Sequence, residues 1–173
     1  MTAVQSQKTI LATDTSSLIV LYKIGALHAI AKQFHLRITP AIWRELQEGS
    51  TPRECRCYRS IVEIWPHPLP PSSVIPVDLR GWNSADMDPV RLFYQTDCCA
   101  ILSEDGRVLR FCKKSGVPHF CSLSLFVELV RLDCLTKGDA YSLIEQAFAI
   151  GRYSTRVKTI ALEMTAMIPE SKG

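Results

Sequence analysis

Six acidic residues stand where carboxylates could act together: Asp14, Glu45, Asp86, Asp88, Glu104 and Asp105. Asp14 is the only acid in the first 44 residues, a stretch that also holds Lys8, Lys23, Lys32, Arg37 and Arg44. Each acid has a plain local role. Asp14 can cap a helix, which stabilises it by about 1 kcal/mol. Glu45 can be a solvated helix residue, and Asp86 and Asp88 suit the positive end of a helix dipole. As a group they raise a conflict, because carboxylates that converge without a cation raise one another's pKa at a cost in stability. A divalent ion removes it. Hard oxygen donors of this kind suit Mg²⁺ or Mn²⁺ with water filling the remaining positions. Such an ion can activate water and neutralise charge developing on a phosphate.

The elements that must position these acids alternate in type. Residues 9–13 form a short apolar run flanked by polar residues, which reads as a buried strand ending at Asp14. Ser16 or Ser17 can cap a helix starting near Leu18 and stopped by Gly25. A second helix spans 26–34 and a second strand 36–39. Pro40 then suits the first position of a helix running to about Gln47 and closed by Gly49. Residues 50–60 are polar and aperiodic and read as a loop or frayed helix, followed by a strand at 61–65. Five of the ten prolines lie between Pro66 and Pro76, a stiff linker. A helix from Ala85 or Pro89 to Thr96, capped by Ser84 or Asp88, precedes a strand at 98–102. That strand ends at Ser103-Glu104-Asp105 and feeds a helix at 107–114. A short strand at 117–121 and helices at 122–135, 139–150 and 154–167 complete the chain. The rhythm is that of a parallel α/β sheet. It predicts one three-layer α/β/α domain of four or five parallel strands, with a core at about 9–121 and a helical extension at about 122–167. In open parallel sheets, ligand sites form at the carboxyl ends of the strands, where Asp14 and Asp105 stand.

Composition narrows the class. The chain has 173 residues, of which 47% are hydrophobic and 21% charged, with a net charge of +3. This is ordinary globular composition for one domain, which excludes collagen and disorder. The charge tolerates an anionic partner without demanding one. Seven cysteines, an odd number with no apolar leader stretch, argue for a reducing compartment rather than a disulfide framework. Cys98, Cys99, Cys112 and Cys121 read as small core residues. Cys55 and Cys57 form a C-x-C pair without a second pair to complete a zinc site. No apolar run approaches the roughly 18 residues of a membrane span. These features predict a cytoplasmic protein.

The sequence resembles the PIN-domain family, the fold of VapC-type toxin ribonucleases, over about residues 9–160. The stretch Ile10-Leu11-Ala12-Thr13-Asp14-Thr15-Ser16-Ser17 is similar to that family's strand followed by D-[ST]-[SN]. Pro40-Ala41-Ile42-Trp43-Arg44-Glu45-Leu46 resembles its second motif. Asp86 to Leu92 resembles the third acidic helix start, and Leu102-Ser103-Glu104-Asp105 the L-[ST]-x-D strand end. The tail resembles a PIN-like bacterial and archaeal subgroup of unassigned function. The resemblance implies a metal-binding cluster of Asp14, Glu45, Asp86 and Asp105, steadied by Ser16 and Ser103, with Glu104 auxiliary. Asp86-Met87-Asp88-Pro89 departs from the subgroup pattern. Counting back from Asp105 favours Asp86, and Asp88 is the substitute.

The implied activity is a Mg²⁺- or Mn²⁺-dependent endoribonuclease, restrained by an antitoxin or another partner. Two rivals stand beside it: a PIN-like scaffold that binds RNA or protein, and an unrelated metal-dependent phosphotransfer domain. A dehalogenase-like nucleophile loop wants D-x-D, which Asp14-Thr15-Ser16 lacks. Arg107, Arg110 and Lys114 recur at helical spacing and could grip RNA phosphates, although a solvated face explains them too. Trp43 and Trp82 could stack on bases, with packing the plainer account. The apolar faces Leu123/Phe126/Leu129/Val130 and Leu143/Ile144/Ala147/Phe148 exceed what a sheet needs for cover and predict a homodimer through these helices.

Overall fold

Alternation along the strands decides which layer each helix joins. In β1 (Thr9–Thr13), Leu11 packs into one buried cluster while Ile10 and Ala12 pack into a second on the opposite face. In β4 (Ala100–Leu102), Ala100 and Leu102 face the first cluster and Ile101 the second. The period of two thus gives the sheet two apolar faces, and both must be covered. The computed structural model describes residues 8–67 and 84–169. The proline-rich segment from Pro68 onward and Trp82 lie outside the described residues.

The first face is covered by α1 (Thr15–Lys23), α2 (Leu27–Gln33) and α7 (Ser122–Arg131), through Leu18, Leu21, Leu27, Ile30, Leu123 and Phe126. The second is covered by α5 (Ser84–Gln95) and α6 (Gly106–Ser115), through Val90, Leu92, Val108 and Phe111. The result is the expected three-layer α/β/α arrangement. Its sheet has five parallel strands in the order β3-β2-β1-β4-β5, with β2 at Phe34–Ile38, β3 at Val62–Ile64 and β5 at His119–Phe120. Helix α6 stops at Gly116, whose φ of +67° is a left-handed cap that glycine adopts without steric cost.

Several local expectations are corrected. Residues 52–61 are a helix, α4 (Pro52–Ile61), started by a capping box in which Thr51 and Glu54 satisfy each other's backbone N–H groups. Helix α1 begins at Thr15, because the Asp14 carboxylate takes the Ser17 N–H; Ser16 and Ser17 fall in its first turn. Helix α5 begins at Ser84 and continues through Pro89, so Asp88 is an interior residue and not a cap. Cys99 is exposed rather than part of the core. All seven cysteines are unpaired.

The C-terminal helices also find their cover inside the chain. Leu123, Phe126, Leu129 and Val130 are buried, and so are Ile144 and Ala147 of α8 (Lys137–Ile150). They join the same cluster as Leu11 and Leu36, together with Ala161 of α9 (Thr155–Met167). Most of both faces thus goes to completing the fold, while Leu143 and Phe148 stay half-buried at its edge.

One charged group is part of the second face. Arg37 on β2 is 6% exposed, with its guanidinium 4.7 Å from the centre of the Trp65 ring. Its Nε donates to Glu63 Oε2 at 2.7 Å and its Nη1 donates to Asp97. Burial pushes the Glu63 carboxyl up, but the bonds from Arg37 and His35 outweigh this and hold it low; the Arg37 bond holds Asp97 low. Arg37→Ala is expected to cost about 1–3 kcal/mol in urea denaturation, below the 3–5 of a fully enclosed pair because both acids can turn to water. Depressed carboxyls stabilise the fold above their unfolded pKa. The wild-type advantage should be complete above about pH 4.5 and vanish as pH falls through the depressed values.

Candidate functional site

Strands β1 and β4 lie side by side at the point where the strand order reverses. Chain beyond β1 turns into α1 and chain beyond β4 turns into α6, which opens a crevice at their carboxyl ends. The backbone closes the base of this crevice, where Asp14 N–H donates to Leu102 O at 3.2 Å. Asp14 and Asp105 occupy equivalent places as the N-caps of α1 and α6. Asp14 Oδ1 accepts from Ser17 N–H at 2.8 Å, and Asp105 Oδ1 accepts from Arg107 N–H at 2.6 Å. Buried Ser103 links the two: its hydroxyl donates to Asp14 Oδ2 at 2.5 Å and accepts from Asp105 N–H at 3.1 Å. Glu104 N–H adds a further bond to Asp14 Oδ2 at 3.2 Å.

Two more carboxylates reach the same crevice from other helices. Glu45 projects from α3 (Pro40–Gly49), and its Oε2 accepts from Thr15 Oγ1 at 2.6 Å. Asp86 lies in the first turn of α5. Together Asp14, Glu45, Asp86 and Asp105 line a cleft of about 230 Å³, with Ser16, Thr15 and Val108 completing its wall. Thr15 was not singled out from sequence; its signal was its place next to Asp14 at a helix start, where a hydroxyl can face the cleft.

Burial pushes the Asp14 carboxyl up, against the bonds from Ser103 and Ser17 that favour its charged form. A cationic side chain already stands opposite: Arg107 Nη2 donates to Asp86 Oδ2 at 2.6 Å and lies 3.4 Å from Asp105 Oδ2. Among the described residues, no three carboxylate, imidazole or thiol groups stand close enough together to hold an ion as they are arranged. In kind, the four carboxylates are the hard oxygen donors that a divalent ion such as Mg²⁺ takes, although Arg107 occupies two of them.

The remaining candidates separate. Asp88 does not substitute for Asp86. The two are about 200° apart around a helix, and Asp88 is turned inward, where it accepts from Thr39 Oγ1 and pairs with Arg91. Burial pushes its carboxyl up. Glu104 points behind the cleft; its Oε1 accepts from Ser122 N–H at 2.9 Å, Ser122 Oγ at 2.5 Å and Ser17 Oγ at 3.3 Å. Arg110 and Lys114 are exposed on α6 and do not line the acidic cleft. Trp43 is half-buried against the main core, with Arg59 over its ring.

No protein-family model matches the chain, and no curated protein or solved structure matches it. Among the described residues, no helix is long and apolar enough to cross a membrane.

Proposed function

We propose that the chain is a metal-dependent ribonuclease of PIN type. The observation that carries this reading is the meeting of Asp14, Glu45, Asp86 and Asp105, from four separate segments, in one cleft at the carboxyl ends of β1 and β4. Asp14 and Asp105 would be the principal ligands of a Mg²⁺ or Mn²⁺ ion, with Glu45 and Asp86 in direct or water-bridged reach. The bound ion would supply an activated water and neutralise charge on the scissile phosphate. The chain's own groups do the positioning. Ser103 and the Glu104 N–H hold the Asp14 carboxylate facing the cleft. Thr15 holds Glu45, and Arg107 holds Asp86 beside Asp105. Control by an antitoxin is the biological setting that the family resemblance implies.

A second reading, a catalytically weak scaffold that binds RNA or protein, is favoured by one observation: Arg107 already neutralises Asp86 and Asp105. Incubation with varied single-stranded RNAs in Mn²⁺, in Mg²⁺ and in EDTA separates the two. The nuclease reading expects cleavage that EDTA stops. Binding without cleavage in either metal supports the scaffold.

A further inference from the structure

A second, larger cleft of about 640 Å³ opens beside the acidic one and shares Ser16 and Asp105 with it. Its volume falls in the range of about 300–1,000 Å³ that takes whole ligands. Helix α1 forms one wall and is graded along its length. Ser16 stands at the acidic end, Ile19 and Val20 follow, and Lys23 closes the last turn. Seven residues at 1.5 Å rise separate Ser16 from Lys23, roughly 10 Å of track leading away from the acids. The opposite wall is the turn between α8 and α9, which contributes Ile150, Gly151 and Arg152. The turn needs glycine at 151, because a Cβ there would come within 2.1 Å of the Tyr153 ring. Lys23 and Arg152 are exposed; Lys23 is near enough to Glu54 to help hold that carboxyl low, without a direct ion pair described between them. Ile150, 47% exposed, gives the wall an apolar surface.

We propose that this cleft is the track of a single-stranded RNA leading to the acidic site, an inference that rests on the ribonuclease reading and names how its substrate is held. Lys23 and Arg152 contact phosphates on opposite walls, while Ile19 and Ile150 cover ribose and base faces between them. The charge order suits such a strand: acids at the inner end where a metal would meet the scissile phosphate, cations at the outer end where the backbone continues. The expected basic face on α6 lies outside this track at Arg110 and Lys114.

The test is fluorescence anisotropy of a short labelled oligouridylate in EDTA, where metal-dependent cleavage cannot interfere. Lys23→Ala and Arg152→Ala are each expected to weaken binding several-fold and to reduce the log–log salt slope by about 0.7, the value for one lost phosphate contact on a single strand. Lys32→Ala, a surface lysine outside the cleft, should leave both unchanged. All three side chains are exposed, so melting temperatures should match the wild type. Unaltered affinity and slope in both cleft variants overturns the track, as does a wild type that binds no oligouridylate. Tighter binding of polyglutamate than of oligouridylate, lost in both variants, assigns the cleft to an acidic protein segment and also overturns it. Because the readout is binding, a protein that cleaves nothing can still pass, and one that cleaves normally can still fail.

Discussion

Asp14→Asn is expected to abolish metal-dependent RNA cleavage while leaving the chain folded. Losing a hydrogen-bond partner of a metal ligand typically costs about 10–100-fold, so neutralising a ligand itself should cost more than about 100-fold. The fold has reason to tolerate the change. Asn is nearly isosteric, and burial already disfavours the charged Asp14 carboxyl. The Asn oxygen can accept from Ser17 N–H, and the Ser103 hydroxyl can rotate to accept from the Asn amide. The Glu104 N–H then loses its acceptor. Stability in EDTA should therefore stay within about 1 kcal/mol of wild type. Mn²⁺ at about 100 times its wild-type Kd should stabilise the wild type by about 2.7 kcal/mol and the variant by about 0.4 kcal/mol or less. Thermal melts with and without Mn²⁺, beside cleavage assays, read both halves. Wild-type cleavage by the variant would remove Asp14 from the mechanism.

Ser103→Ala is the second large effect. The Ser103 hydroxyl is the only side-chain group described that bonds both Asp14 and the backbone of Asp105. Its removal takes the shortest bond from Asp14 Oδ2, which keeps the Glu104 N–H, and leaves Asp105 N–H without its acceptor. Both carboxylates keep their charge and their capping bonds, but their mutual placement loosens. Cleavage should fall by about 10–100-fold, and stability by about 1–3 kcal/mol for the polar groups left unpaired in a buried place. Ser103→Thr, which keeps the hydroxyl, should recover part of the rate if the bond rather than the volume matters. Equal losses in Ala and Thr variants would point to packing instead.

The acids at strand ends were legible because short apolar runs terminate at them, and parallel topology sends all such ends to one side. That argument needs only the order of elements, so Asp14 and Asp105 followed from it directly. Counting back from Asp105 favours Asp86, but Asp88 stays open as a substitute because Pro89, a proline inside α5, looks like the helix's beginning. Sequence leaves α4 between loop and frayed helix because Tyr58 is its only fully buried residue, so no apolar period marks it. Its Thr51-Pro52-Arg53-Glu54 start carried the missed signal. The faces of α7 and α8 were legible as apolar, but sequence does not say what covers a face. Here the chain covers most of its own. Thr15 and Ser122 act through hydrogen bonds to acids distant in sequence, Glu45 and Glu104, and no local pattern announces such pairings.

Calorimetric titration of Mn²⁺ into the wild-type chain and into Asp14→Asn bears most directly on the proposed metal site. The account predicts one ion per wild-type chain and an affinity weakened by more than about 100-fold in the variant, since a lost ligand outweighs the 10–100-fold of a lost supporting bond. Equal binding by the two chains, or no binding by the wild type, would contradict it.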